Sequence, residues 1–298
     1  MPETRLAASA DTSRRSTALG ILAMTGAVAC LATMGMFIKL VGPDYSPFQA
    51  TFLRNSVAAC MVVPMILWTG GMAAFKTKHP WGHVMRSTTG VVGNASFFQA
   101  YALIPMASVS AVAMSVPIFA TLFAILFLGE KVGLHRWGAI VVGFMGVLVA
   151  LDPGGSLQVG SLFALVGVVC WALTIIMVKK LSVTESPYTI VFYYMLAGVI
   201  VAGAIMPFVW ITPPWEIMRY YLAAGVIGGC GQILMTTAIR LAPASVITPF
   251  EYTAIIWAVT YDLLIWSAHP STTTLGGAAI VIVTGLYIAH RETRRGQA

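Results

Sequence analysis

Arg54, Glu251 and Asp262 are ionisable residues set inside long apolar runs. If those runs cross a bilayer, each charge near the centre costs at least about 2.5–3.5 kcal/mol on insertion scales, so a functional role is the first reading. Glu251 fits the binding of a substrate ammonium or the carriage of a proton; wetting at an interface or a structural pair is the competing view. Arg54 reads as a conformational support that bonds backbone carbonyls or a carboxylate, with capture of a substrate carboxylate as its second reading. Around residue 97 the chain holds Asn94, Phe98 and Tyr101 at i, i+4 and i+7, so one helix face offers an amide, a ring and a phenol. Gln232 adds a further candidate polar group. Trp171 and Trp257 fall near mid-run, and Tyr252 follows Glu251. Such a set suits an amino acid, whose charged groups need hydrogen bonds in a dry site and whose side chain needs apolar surface. The competing view has the same polar groups bonding neighbouring helices.

The elements that must position these residues follow from composition. The chain has 298 residues, 58% of them hydrophobic and only 9% charged, with a mean hydropathy of +0.86. A soluble domain carries roughly 25% charged residues, so this chain is not one. Apolar runs fall near 18–41, 46–69, 84–104, 108–128, 136–151, 158–178, 187–211, 217–240, 244–268 and 273–290. Ten crossings leave no room for a soluble catalytic domain, and without water in the bilayer core they must be helices. An all-α integral membrane protein with ten transmembrane helices is predicted. The Ala27-Val28-Ala29 stretch resembles a signal-peptidase site, but it lies mid-run and the run continues to Ile38.

With both termini in the cytoplasm, 14 of the 17 lysines and arginines face that side, Arg86 among them, and only Lys39 and Arg219 face the other. This is a strong positive-inside pattern. Trp68, Trp81, Trp137, Trp210, Trp215 and Trp266 lie at span ends, as an interfacial aromatic belt requires. The four cysteines sit in apolar runs without a CxxC pair and read as packing residues.

The chain also repeats itself. Cys30, Lys39, Pro47 and Phe52 match Cys170, Lys179, Pro187 and Phe192, while Ala107-Ser108-Val109 matches Ala244-Ser245-Val246. The reading is a cytoplasmic tail at 1–17, five-helix repeats at 18–151 and 158–290, and a second tail at 291–298. Five is odd, so the repeats have inverted topology, the plan of many carriers with a midplane site exposed alternately to each side. Pro117 and Pro249 lie within spans four and nine, where a missing N–H allows a bend. Gly138, Gly143 and Gly146 in span five, and Gly276, Gly277 and Gly285 in span ten, permit close helix packing.

The stretch Ser115-Val116-Pro117-Ile118-Phe119 through Leu128-Gly129-Glu130-Lys131 closely resembles the fourth-helix signature of the drug/metabolite transporter superfamily, in its EamA-type branch. Arg54 after Phe52-Leu53, Trp171-Ala172, and Pro249-Phe250-Glu251-Tyr252-Thr253 resemble further family positions. The resemblance covers residues 18–290 and implies ten helices, inverted repeats and movement of small metabolites. Within the family, the size and mid-membrane aromatics are most similar to a bacterial aromatic amino-acid exporter. One departure is Leu264-Ile265-Trp266-Ser267, where the family often repeats Leu-Gly-Glu.

The expectation is an inner-membrane secondary transporter for aromatic and other neutral amino acids, with another metabolite, vitamin or cationic drug as the alternative cargo. Its partners would be that small molecule and the lipid bilayer, without nucleic acid, as a monomer or dimer. No Walker, HExxH, CxxC or GxSxG motif is present, so no ATP site, metal, cofactor or enzyme chemistry is called for.

Overall fold

The computed structural model describes residues 2–128, 134–151, 159–242 and 244–295. The first half runs through α1 (Pro2–Val41), α2 (Pro47–Gly70), α3 (Pro80–Leu103), α4 (Met106–Ala113), α5 (Val116–Leu128) and α6 (Leu134–Leu151). The second runs through α7 (Val159–Leu181), α8 (Pro187–Val209), α9 (Trp215–Leu241), α10 (Ala244–Glu251), α11 (Ala254–Trp266) and α12 (Thr272–Arg295). These helices build ten spans, because α4 with α5, and α10 with α11, are the broken halves of spans four and nine. The segment expected as an N-terminal tail continues α1 as helix, which its Ala, Leu, Glu and Arg content favours. The Gly129-Glu130-Lys131 end of the fourth-span motif lies outside the described residues.

Among the described residues, five helices are long and apolar enough to cross a membrane on length and composition: Ser16–Val41, Pro47–Trp68, Val159–Leu181, Pro187–Val209 and Trp215–Leu241. The others depart for physical reasons. Spans four and nine are interrupted, and α3 carries His83, Arg86, Asn94 and Ser96 on buried faces, so its polar groups meet protein and not lipid. Large apolar side chains that point outward, such as Phe208 and Leu264, supply the lipid-facing surface.

The repeat is visible in matched parts. α2 begins Ser46-Pro47 and α8 begins Ser186-Pro187, each serine side chain capping a backbone N–H and each proline filling a first-turn site that needs no donor. α4 and α10 both have 8 residues, and α5 and α11 both have 13. At the first break, Ser115 Oγ donates to the Val112 carbonyl at 2.6 Å. At the second, Thr253 Oγ1 donates to the Phe250 carbonyl at 2.7 Å. At each interruption the same carbonyl also accepts that residue's own N–H, at 3.0 Å from Ser115 and 3.1 Å from Thr253, so N–H and hydroxyl together close a tight turn between the half-helices. Pro117 stands just beyond the first break, and its missing N–H leaves the Ala113 carbonyl without its ordinary partner. Pro249 lies within α10, shortly before the second.

Packing follows the same exchange. α1 lies along α9 as α3 lies along α7, while α2 pairs with α8 and α6 with α12. Each contact maps onto itself or its partner when the two halves are swapped, so the fold is two like repeats, and because each has five spans, an odd number, they cross the membrane in opposite senses. α6 meets α12 closely at Gly146, where a Cβ would stand 2.7 Å from Ile280 Cγ2, and α12 meets the α10–α11 break at Gly285, where a Cβ would overlap the Tyr252 hydroxyl. Gly138 and Gly276, in contrast, face open space.

The α2–α9 crossing is tighter. A Cβ on Gly225 would fall 2.5 Å from Val57 Cβ and 3.0 Å from the Arg54 carbonyl oxygen. Because neither neighbour is a flexible tip, Gly225→Ala is expected to cost about 1–3 kcal/mol through overpacking. Thermal unfolding in detergent checks this: Gly225→Ala should lower the midpoint by several degrees, whereas Gly138→Ala should not.

Candidate functional site

One cavity stands out between the repeats, with a void of about 1050 Å³ including the part open to solvent. Its walls come from α1 (Met24 to Met34), α3 (Asn94, Phe97, Phe98 and Tyr101), α4 and the start of α5, Trp171 of α7, Gln232 and Met235 of α9, and the α10–α11 break. Both half-helix breaks therefore reach it, bringing Met114, Val116 and Pro117 from one repeat and Glu251, Tyr252 and Ala254 from the other. The N-terminal ends of α5 and α11 border it, their first-turn N–H groups at Ile118, Phe119, Ile255 and Ile256 already bonded to backbone carbonyls.

Asn94, Phe98, Tyr101, Trp171, Gln232, Glu251 and Tyr252 all line this cavity. Trp257 does not. It is 38% exposed on the outer face of α11, next to Tyr261 with ring centroids 6.2 Å apart. Its depth was legible, but depth does not fix which way a helix face turns.

The polar wall is partly built into the scaffold. Asn94 Nδ2 donates to the Tyr194 hydroxyl of α8 at 2.5 Å, so this amide both borders the cavity and ties two helices. Gln232 Oε1 accepts from Arg86 Nη2 at 3.2 Å. Glu251 has no cation in ion-pair range among the described residues, where the ion pair found joins Lys39 and Asp262. The Tyr252 hydroxyl is buried without a hydrogen-bond partner.

Two sequence expectations about arginine change. Arg54 bonds neither a carbonyl nor a carboxylate: its Nη2 meets Met195 Sδ at 3.8 Å, and its Nε and Nη1 are unpaired. Arg86, counted with the cytoplasmic basic residues, is instead completely buried. The reason is that α3 starts at Pro80, earlier than the apolar run begins, which carries Arg86 into the bundle.

One end of the cavity is closed. Lys39 Nζ of α1 lies 3.1 Å from Asp262 Oδ1 of α11, and Asp262 Oδ2 accepts the Ala107 N–H at the start of α4 at 2.7 Å. Lys39 also donates to the Ile104 carbonyl at 3.4 Å and stands 4.6 Å from the Trp266 ring centre. Beneath this cluster, Met36, Met106 and Ala258 form a buried apolar layer, and Thr33 and Tyr261 share a hydroxyl hydrogen bond of 2.7 Å. Among the described residues the opposite end has no copy of this closure. Lys179, the repeat partner of Lys39, is exposed, and the place in α5 equivalent to Asp262 is Ala124.

The comparisons with known proteins agree with a carrier. The chain is 26% identical over 257 residues to the S-adenosylmethionine uptake transporter of Rickettsia conorii, covering 86% of this chain and 87% of that one. It is 29% identical over 255 residues to the riboflavin transporter of Vibrio cholerae, covering 82% and 83%. With the pseudopaline exporter of Pseudomonas aeruginosa the identity is 25% over 283 residues, covering 93% and 97%. A crystal structure at 19% identity superposes with a TM-score of 0.66 over 94% of this chain and 99% of its own, a likeness of fold alone. The sequence pattern of the EamA-like transporter family matches residues 18–151 and again 158–289. The chain belongs to the EamA-like transporter family, as a multi-pass membrane transporter.

Proposed function

We propose that the protein is an inner-membrane exporter of aromatic and other neutral amino acids, working by alternating access through the cavity between its repeats. The observation that carries this reading is the convergence of Phe98, Tyr101, Trp171 and Tyr252 with Asn94, Gln232 and Glu251 on one cavity. Rings take the cargo's apolar body, amides orient it, and the Glu251 carboxylate receives its ammonium. The α4–α5 and α10–α11 breaks are the places where the bundle flexes at Pro117 and Pro249. Arg54 supports the wall from behind. Both termini face the cytoplasm, so the Lys39–Asp262 closure lies on the outer side.

A second cargo class has its own support. The related carriers are named for S-adenosylmethionine, riboflavin and pseudopaline, and an unpaired carboxylate at Glu251 also suits a cationic metabolite. Counterflow separates the two. Proteoliposomes preloaded with unlabelled phenylalanine should accumulate labelled phenylalanine saturably, with tyrosine and tryptophan competing better than riboflavin or S-adenosylmethionine. Trp171→Ala should reduce this counterflow at least about fivefold, since a ring lost from a desolvated site costs over about 1 kcal/mol, whereas Trp257→Ala should leave it near normal. Riboflavin or S-adenosylmethionine counterflow in place of phenylalanine would favour the second class.

A further inference from the structure

Behind the cavity wall lie two arginines with almost no conventional partners. Arg54 of α2 and Arg86 of α3 are both completely buried. They share one ring: the Arg86 guanidinium carbon lies 4.3 Å from the centre of Tyr194 and that of Arg54 lies 5.8 Å from it. The Nε and Nη1 of each are unpaired, and no carboxylate pairs with either among the described residues. Arginine cannot shed its charge in a protein. Of the carboxylates whose side-chain surroundings are described, Asp262 pairs with Lys39, Glu185 accepts from Thr77 and the Lys78 N–H, Asp44 and Glu216 are exposed, and Glu251 borders the cavity.

Two buried positive charges without a counter-ion are costly, and a helix bundle would retain them where an anion visits. The route from them to the cavity is short. Arg86 Nη2 holds Gln232 Oε1 at 3.2 Å, which leaves the Gln232 Nε2 hydrogens without a protein partner among the described residues, on a side chain that lines the cavity. Arg54 stands behind Phe98, 6.0 Å from its ring centre, and Phe98 lines the same wall. Space for this arrangement is made by Gly90, where a Cβ would collide with Arg86 Nη1 and come within 2.7 Å of the Tyr194 ring.

We propose that Arg54, Arg86 and Gln232 form a carboxylate subsite of the cavity. Gln232 donates directly to the cargo anion, while Arg86, a positioning residue, fixes the amide with its donor side outward and adds, with Arg54, the positive potential behind it. Together with Glu251 the cavity is then bipolar, matched to a molecule carrying both a carboxylate and an ammonium. This rests on the reading that cargo occupies the cavity, and it narrows the cargo to zwitterions or anions and away from simple cations.

The test is ligand binding to the full protein in nanodiscs, using phenylacetate, its neutral amide phenylacetamide, and phenethylamine. Phenylacetate should bind the wild type about 10–100-fold more tightly than phenylacetamide, the range expected for a hydrogen bond to a charged group. Arg86→Gln should abolish that preference and leave phenethylamine unaffected; Arg86→Lys should restore part of it. Equal binding of phenylacetate and phenylacetamide to the wild type, no phenylacetate binding, or an equal loss of all three ligands in Arg86→Gln would overturn the subsite. The wild-type comparison decides even if the variant does not fold. Failed phenylalanine counterflow with an intact phenylacetate preference would overturn the amino-acid reading and leave the subsite standing.

Discussion

Asp262→Asn is expected to open the closed end of the cavity. The carboxylate is 1% exposed and Lys39 is 15% exposed, so the acid is the buried partner and also the acceptor of the Ala107 N–H. Removing one member of a buried pair costs about 3–5 kcal/mol, and at about 1.4 kcal/mol per tenfold even half of that shifts a two-state gate by more than tenfold. The effect should show as access. With the four native cysteines replaced by alanine, a cysteine at Ser110, which lines the cavity on α4, should react with an impermeant maleimide from the Lys39 side at least about tenfold faster in Asp262→Asn. Lys39→Ala should have a smaller effect, because the Ala107 N–H keeps its acceptor and the lysine was already partly hydrated. Unchanged labelling in Asp262→Asn would mean that the apolar layer of Met36, Met106 and Ala258 holds the closure by itself.

How far this architecture could be read from the chain depends on the kind of signal. Hydropathy marks length, and length was enough for ten spans and for the pairing of Pro47 with Pro187. Pro117 and Pro249 marked where spans four and nine could bend, but not that they break, since Pro64 and Pro207 sit inside the continuous α2 and α8. Arg86 was not legible, because a basic residue beside a loop looks like a cytoplasmic anchor until the helix start is known. A signal did exist: Arg86, Gly90 and Asn94 recur every four residues, placing a cation, a gap for it and an amide on one helix face. Trp257 went the other way, since mid-span depth leaves azimuth open, and Ile256 beside it is 62% exposed. The Lys39–Asp262 pair joins residues 223 positions apart. Each residue is visible at a span end, but their meeting follows from the α1–α4–α11 packing, which no local pattern records.

The largest effect on transport is expected at Glu251. Among the described residues no side chain neutralises it, and it borders an apolar cavity at the α10–α11 break. A cargo ammonium would therefore bring the missing charge, and a carboxylate–ammonium contact in a dry site is lost almost wholly when one partner becomes neutral. Truncating one member of a desolvated charge pair costs about 2–5 kcal/mol, which corresponds to roughly 30-fold to several thousand-fold in binding. Glu251→Gln keeps the size and the hydrogen-bonding oxygen, so the charge is the variable. Phenylalanine counterflow should fall at least about 30-fold and phenethylamine binding should fall with it, while phenylacetate binding is retained or improved because a repelling carboxylate has gone. Glu251→Asp should recover part of the activity. A second readout separates anchoring from proton carriage: if Glu251 also carries a proton, the pH-gradient dependence of wild-type phenylalanine flux disappears in Glu251→Gln, whereas a pure ammonium anchor lowers the flux and leaves that dependence in proportion. Equal losses for phenethylamine and phenylacetate would point to a collapsed cavity and remove the charge argument, and unchanged counterflow would place the cargo ammonium elsewhere in the wall.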